Sequence, residues 1–300
     1  PSAMSAAARE ISALPSPLRL YGAALLTSRK KNATADLPAL SLARPAVTLD
    51  AANIARYAQV CGFRPEQGVP LTYPHMLAFP LHMLLMADAR FPWSMMGMVH
   101  LANTVRQHSR LTPGQTGRIE VSLLRPQSHD KGQVFCLQSR LLADNARETC
   151  LWESESLYLR TGIRAPVGPA YQSTLSEIDS QQAAQIWHIV SATARRYGFI
   201  SGDLNPIHLN RLAAMAFGFP RAIAHGMWTK AHALATLMPP GPVDTGICTV
   251  EFKTPLFLPG KATLWSDPPN PEAGQRFEVR DAKGEKPHLR GFWQTRPHPC

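Results

Sequence analysis

The stretch YGFISGDLNPIHLNRLAAMAFGFPRAIAHGM, residues 197–227, decides how the fold of this chain is interpreted. Ser201 and Gly202 indicate a turn. Asn205 is a typical N-cap, and Pro206 suits the first helical position because its missing N–H needs no partner there. The pattern therefore predicts a helix that begins directly after Asn205.

Two side chains with acid–base chemistry flank this predicted helix start. Asp203 falls in the loop before it, and His208 falls in its first turn. A carboxylate and an imidazole at this separation can converge on one small molecule such as water. The alternative interpretation is structural: Asp203 would then be a turn residue and His208 a solvated histidine in the first turn of the helix. The Gly, Asn and Pro that accompany them, in this order, favour a functional site.

The run Gly202-Asp203-Leu204-Asn205-Pro206-Ile207-His208 resembles a known signature, that of the MaoC-like R-specific enoyl-CoA hydratases and 3-hydroxyacyl-thioester dehydratases. Ala224-His225-Gly226-Met227 resembles the start of the central helix of that family. The rest of the chain is similar, more loosely, to the family members with two hotdog domains. The resemblance implies an α+β fold, a tandem double hotdog in which antiparallel sheets each wrap a central helix.

The resemblance also implies an activity and a set of site residues. The activity is the reversible hydration of trans-2-enoyl thioesters to (R)-3-hydroxyacyl thioesters, a hydro-lyase reaction of fatty acid metabolism that needs no cofactor and no metal. Asp203 and His208 are the expected catalytic pair and would hold the reacting water. Gly226 is expected to offer its backbone N–H to the thioester carbonyl, a role carried over from the family. Three residues are expected to support the site: Asn205, Ser201 and Gly202.

Two positions near the site have a different expected status. His225 is interpreted as part of a helix-entry motif with a structural role. Leu234 stands where some R-specific hydratases carry an active-site serine, so contacts to the substrate are expected to differ there.

Parts of the second half of the chain are repeated in the first half. Residues 57–62 (YAQVCG) match residues 197–202 (YGFISG) at an offset of 140 residues. Each match lies at the end of a predicted helix, with Asp50 and Ser191 as the expected N-caps. A second pair of Pro-Gly turns, at Pro113 and Pro259, follows in the same order, which favours a duplication.

The duplication predicts which half is active. At the same offset, Phe63, Pro65 and Gly68 occupy the positions of the Asp, Asn and His of the proposed site. The chain is therefore predicted to consist of an N-terminal extension (1–42), a degenerate N-terminal hotdog domain (43–165), a linker (166–180) and a catalytic C-terminal hotdog domain (181–300).

Helices and strands follow the same order in each half. Apolar central helices are predicted near residues 74–86 and 225–237. Four strands are predicted after each helix, at Met98–Val105, Gly117–Leu124, Gln133–Leu142, Trp152–Arg160, Gly246–Lys253, Lys261–Ser266, Gln275–Asp281 and His288–Arg296.

The charge of the chain restricts its partners. Lys and Arg number 31 against 21 Asp and Glu, a net charge of +10. Arg29-Lys30-Lys31 is the only cationic triplet, and no nucleic-acid-binding motif accompanies it, so no nucleic acid is expected. The acyl thioester substrate is expected to be carried either by CoA or by an acyl-carrier protein. The basic charge of the chain is complementary to the phosphates of CoA and to the acidic surface of an acyl-carrier protein.

The cysteines and the apolar segments indicate a cytoplasmic protein. Five cysteines are scattered without metal-ligand spacing, so neither a zinc site nor a disulfide framework is expected. The apolar segment Leu18–Leu26 is too short to span a membrane.

A homodimer is compatible with the sequence. A hotdog thioesterase and a non-catalytic acyl-thioester-binding subunit stay open as alternatives.

Overall fold

The computed structural model describes residues 8–27, 37–95, 97–178 and 183–296. The triplet at residues 29–31 and Cys300 lie outside these ranges. The described residues form two compact units: unit 1 contains those up to 48 with those in 74–103 and 116–172, and unit 2 contains those in 49–73 and 104–115 with those from 173 onward.

Neither unit is one continuous piece of the chain. Residues 49–73 and 104–115 precede the predicted linker but belong to unit 2. The borders between the two units therefore lie at other residues than the predicted domain borders. The reason is that a helix and a loop from the first half of the chain pack in unit 2. The borders 43–165 and 181–300 themselves stay a prediction.

Unit 1 is built from antiparallel strands and one apolar helix. Its strands lie in the order β1-β2-β4-β5-β6-β3. The pair β1–β2 is parallel, and the pairs β2–β4, β4–β5 and β5–β6 are antiparallel. The helices are α1 and α3, of which α3 is apolar nearly all round. The elements are β1 (Arg9–Glu10), α1 (Pro17–Leu26), β2 (Ser41–Thr48), α3 (Tyr73–Ala87), β3 (Val99–Gln107), β4 (Thr116–His129), β5 (Gly132–Ala143) and β6 (Cys150–Thr161).

The strands of unit 1 follow from side-chain alternation. Along β4, Ile119, Val121 and Leu123 are buried, whereas Glu120 and Ser122 between them are half-buried. Successive side chains of a strand point to opposite faces, so this alternation directs one face towards the core.

Unit 2 has the same plan and carries the predicted site. The C-terminal part of β3 is followed in its sheet by β8, β11, β10, β9 and β7, and the pairs from β8 to β7 are antiparallel. The elements are α2 (Ala51–Cys61), β7 (Ala183–Ile189), α4 (Ser191–Ser201), α5 (Pro206–Leu209), α6 (Arg211–Ala216), α7 (Gly226–Leu237), β8 (Thr245–Phe252), β9 (Gly260–Ser266), β10 (Gln275–Asp281) and β11 (Pro287–Arg296). All eight predicted strands are confirmed, with ends that differ by a few residues.

The helices α2 and α4, which the predicted duplication relates to each other, end in the same way. Gly62 and Gly202 follow them with φ of 86° and 75°, a left-handed conformation that glycine adopts without steric cost. Asp50 caps α2, as predicted, by accepting the N–H of Asn53 at 2.7 Å. The predicted cap of α4 is wrong by one residue: Ser191 is already helical, and the extended residue before it is Val190.

The helices α2 and α4 also contact each other inside unit 2. The rings of Tyr57 and Tyr197, which correspond in the repeat, lie 6.1 Å apart, and both residues are buried. Tyr197 thus packs between the two helices.

The central helix α7 is held at both ends by these duplicated segments. At its C-terminal end, the Gln67 side chain donates to the carbonyl of Met238 at 3.2 Å. Along its length, Trp228 donates to the Val60 carbonyl at 3.0 Å. The segment after α4 reaches the opposite end, at His225, and this is where the predicted site lies.

Within the described ranges, none of the helices combines the length and the apolar character that a membrane crossing requires.

Candidate active site

The loop between α4 and α5 is fixed by its own polar side chains. Ser201 Oγ accepts the N–H of Asp203 at 3.2 Å, and Asp203 Oδ1 accepts the N–H of Asn205 at 3.3 Å. Asn205 Oδ1 in turn accepts the N–H of Ile207 at 3.3 Å, so the predicted N-cap is confirmed. Short polar side chains that bond the backbone two residues on are typical of turns, and here they hold the Asp203 carboxylate in place.

His208 lies in the single turn of α5, and its ring is oriented by a backbone carbonyl. Its Nδ1 is 2.9 Å from the oxygen of Ile223. A carbonyl only accepts, so in the neutral ring Nδ1 carries the hydrogen and Nε2 keeps a lone pair. Burial lowers the pKa of His208, and the nearby Asp203 carboxylate opposes this shift only in part. His208 is therefore suited to act as a base.

The predicted pair meets in space. One side-chain donor atom each from Asp203, His208 and His225 lies within 4.8 Å of the others. The Asp203 side chain keeps 25% of its surface exposed. A water or a substrate group can thus reach the carboxylate from the open side.

His225 makes contacts that were not foreseen from the sequence. Its Nε2 lies 2.9 Å from the backbone oxygen of Asp203, and its ring stacks on that of His208 with centroids 3.9 Å apart. Burial, followed by the neighbouring His208, lowers the pKa of His225 to about 3. The ring is therefore neutral at ordinary pH. Its helix-entry position was recognisable, but no pattern in the sequence connects it to Asp203.

A carboxylate and two imidazoles form a donor set that can hold a divalent transition metal. In this structure, however, Nε2 of His225 is already bonded to a carbonyl, as is Nδ1 of His208. Binding a metal through His225 Nε2 requires breaking that bond. The absence of a metal stays a prediction.

Gly226 is the predicted donor to the thioester carbonyl. It is the first residue of α7. The first N–H groups of a helix have no partner within the helix, and the helix dipole favours negative charge there. The preceding segment is held by two backbone bonds, Ile223 N–H to Ile207 O at 3.1 Å and Ala224 N–H to Leu256 O at 2.8 Å. The carbonyl-binding role of Gly226 stays a prediction.

One buried basic residue of α7 was not predicted from the sequence. Lys230 is 0% exposed, and its Nζ donates to the Cys248 carbonyl at 3.1 Å. Burial lowers its pKa to about 8. A lone lysine within the apolar run MWTKAHALATL was a signal that could have been noticed. Leu234, one turn further, is also fully buried.

Comparison with known proteins identifies relatives of this chain. A family model described as "MaoC like domain" matches residues 172–264. The 3-hydroxyacyl-thioester dehydratase X of Mycobacterium tuberculosis is 32% identical over 259 residues, which cover 85% of this chain and 89% of that protein.

Solved structures show the same fold. The crystal structure of HtdX from Mycobacterium tuberculosis has a TM-score of 0.71 at 29% identity, and the match covers 85% of this chain and 100% of that one. A MaoC-like dehydratase from Phytophthora capsici has a TM-score of 0.68 at 16% identity, covering 86% and 96% of the two chains, which is a likeness of fold alone.

The predicted α+β double hotdog fold and the predicted class, a hydro-lyase, are thereby confirmed. The chain belongs to the MaoC-like dehydratase family.

Proposed function

We propose that this protein catalyses the reversible hydration of trans-2-enoyl thioesters to (R)-3-hydroxyacyl thioesters, with Asp203 and His208 as the catalytic residues. The observation that carries the proposal is the convergence of the Asp203 carboxylate and the His208 ring, with donor atoms within 4.8 Å. The name of the Mycobacterium tuberculosis relative supports the thioester substrate.

In the hydration direction, a water molecule lies between the two side chains. His208 is neutral, with its Nδ1 hydrogen on the Ile223 carbonyl, so its Nε2 can take a proton from the water. The water oxygen bonds to C3, and the electrons of the C2–C3 double bond move towards the thioester carbonyl. C2 then takes up a proton on the same face from the protonated His208, which returns the ring to its neutral form. Dehydration is the same sequence reversed.

The negative charge that develops on the thioester oxygen is stabilised by a backbone donor. The Gly226 N–H at the start of α7 supplies it, and such a donor typically contributes about 3–4 kcal/mol to transition-state stabilisation. The Asp203 loop is held by three neighbouring residues. Gly202 provides the left-handed turn, and the side chains of Ser201 and Asn205 accept the N–H groups of Asp203 and Ile207.

The substrate bearer is an acyl-CoA or an acyl-carrier protein. The net charge of +10 favours either, because both are anionic. We also place the reaction in the cytoplasm. The four described cysteines, Cys61, Cys136, Cys150 and Cys248, are free thiols, as a reducing compartment maintains them. A homodimer is one arrangement that light scattering on the purified chain would detect.

The test is an assay of the purified protein with crotonyl-CoA and octenoyl-CoA. Loss of the enoyl-thioester absorbance reports hydration, release of free thiol is measured in parallel, and chiral chromatography identifies the product enantiomer. Asp203→Asn and His208→Gln are each expected to lower the hydration rate by about 10²–10⁴-fold. The exposed pair Asp144→Asn and His188→Gln serves as the matched control and should retain full activity.

The outcomes separate the alternatives. Near-normal hydration by either site variant contradicts the assignment. Thiol release without hydration indicates a thioesterase, and binding without either reaction indicates a non-catalytic acyl-thioester-binding subunit.

A further inference from the structure

His225 occupies the N-cap position of α7 but does not cap it. Its side chain makes no hydrogen bond to the N–H groups of its own helix. The ring turns instead to the loop after α4 and bonds the backbone oxygen of Asp203 at 2.9 Å. An N-cap residue that caps nothing needs another reason for its identity, and the bond to the catalytic loop is a candidate.

The chemistry of this bond fixes the tautomer of His225. A carbonyl oxygen only accepts, so Nε2 donates and the neutral ring has its lone pair on Nδ1. Nδ1 is buried, with no hydrogen-bond partner among the described residues. The side chain is 1% exposed, so it serves protein contacts rather than solvent.

The surroundings of the ring are shaped to admit this contact. Gly198 of α4 faces the Asp203 carbonyl, and a β-carbon there would lie 2.9 Å from that oxygen and 3.6 Å from Cε1 of His225. The Tyr197 ring lies 5.0 Å from the imidazole, which stacks on His208 at 3.9 Å. The histidine is thus enclosed between the helix that precedes the loop and the ring of the proposed base.

We propose that His225 is a positioning residue of the hydration reaction. It ties the Asp203 backbone to the start of α7 through Nε2–H, while its ring stacks on that of His208. The inference rests on the proposed function, since it concerns how the same catalytic pair is held. Its consequence is that Asp203 and Gly226, the residue next to His225, are kept at a constant separation.

The neutral state of His225 is part of this role. When His208 accepts the proton of water it becomes a cation, and a second cation stacked on it at 3.9 Å would oppose that step. Burial of the ring and the neighbouring His208 favour the neutral form of His225, and the Asp203 carboxylate and the Nε2–H bond to the Asp203 carbonyl oppose this only in part.

Two substitutions distinguish the bond from the ring. In His225→Gln, the amide nitrogen replaces Nε2 and can still donate to the Asp203 oxygen. In His225→Asn, the shorter amide nitrogen lies near the position of Nδ1 and cannot reach that oxygen. The Asn variant is expected to lose about 10²-fold in kcat on crotonyl-CoA, because displacements near 1 Å have effects of this size. KM should change less than about 3-fold, and the Gln variant should recover most of the rate.

A second measurement does not depend on activity. Amide hydrogen exchange in peptides that span 201–209 should be faster in His225→Asn than in His225→Gln, while peptides from β8 to β11 exchange alike in the two variants. This readout separates a local release of the Asp203 loop from general destabilisation.

Three results would overturn the inference. They are a wild-type kcat in the Asn variant, equal losses in the Asn and Gln variants, and equal exchange of residues 201–209 in both. These are distinct from failure of the proposed function, which is judged by Asp203→Asn and His208→Gln. If those two variants are inactive while His225→Asn is fully active, only the positioning role is wrong.

Discussion

Gly226 and Phe252 meet so closely that no side chain fits between them: a β-carbon on Gly226 would lie 2.7 Å from Cε1 of Phe252. The first residue of α7 therefore rests against the last residue of β8. The glycine is required by packing, and its proposed role as donor to the thioester carbonyl would also require a residue without a side chain. Both requirements can be separated by mutation.

Gly226→Ala is expected to lower kcat/KM for enoyl-CoA hydration by about 10²-fold, because the added methyl must displace α7 or the Phe252 ring. Phe252→Leu in the same chain provides space and should recover most of the loss. Phe252→Leu alone is the control. Wild-type activity of Gly226→Ala would mean that this helix start is not near the reacting carbonyl. A double variant as slow as the single one would exclude the clash as the cause.

Because Lys230 is buried, we expect the free energy of unfolding to depend on pH in a specific way. Its pKa is about 8 in the folded protein, against an ordinary 10.5. Between these values the unfolded chain binds the proton and the folded chain does not, so the free energy of unfolding rises with pH from about 8 to about 10.5. The shift corresponds to about 3 kcal/mol across that window.

Lys230→Met should abolish this rise, whereas the exposed control Lys283→Met should keep it. The measurement is the urea midpoint at a series of pH values, taken as the difference between wild type and variant so that other titrating groups cancel. A difference that stays constant from pH 7 to pH 11 would show that Lys230 does not titrate in this way.

Removing the negative charge of Glu278 is expected to lower the free energy of unfolding strongly. The side chain is 1% exposed and accepts Nε–H of Arg280 at 2.6 Å and Nε–H of Arg290 at 2.8 Å. Removal of one partner from a buried ion pair typically destabilises a protein by about 3–5 kcal/mol, since the remaining charge is left uncompensated. Glu278→Gln is therefore expected to lower the denaturant midpoint strongly. The exposed Glu272→Gln is the matched control, and similar midpoints for both variants would contradict the prediction.

Local structure was predictable from local sequence. The helix start after Asn205 was identified from a cap and a proline, and it is confirmed by the bond from Ile207 N–H to Asn205 Oδ1. The eight predicted strands are present, and β10 has its predicted ends, Gln275–Asp281. The one wrong cap, Ser191 instead of Val190, is an error of one residue at a helix end. Helix ends are where neighbouring residues compete for the same role.

The candidate site was predictable only in part. Asp203 and His208 were singled out because the residues between them form a recognisable turn and cap. The orientation of His208 depends on the carbonyl of Ile223, 15 residues away, and the contact of His225 spans 22 residues. Spacing along the chain does not specify such contacts.

Sequence by itself determined the family, the helix start at the site and the strands, and it showed that Phe63, Pro65 and Gly68 stand at the positions that correspond to Asp203, Asn205 and His208. Each of these depends on neighbours in the chain or on a motif that can be compared letter by letter. Only the tertiary structure decided that α2 packs in unit 2, that Lys230 is buried and that the ring of His225 bonds the backbone of Asp203. These features arise when segments distant in sequence are packed together, and the packing of a whole unit selects which side chains meet.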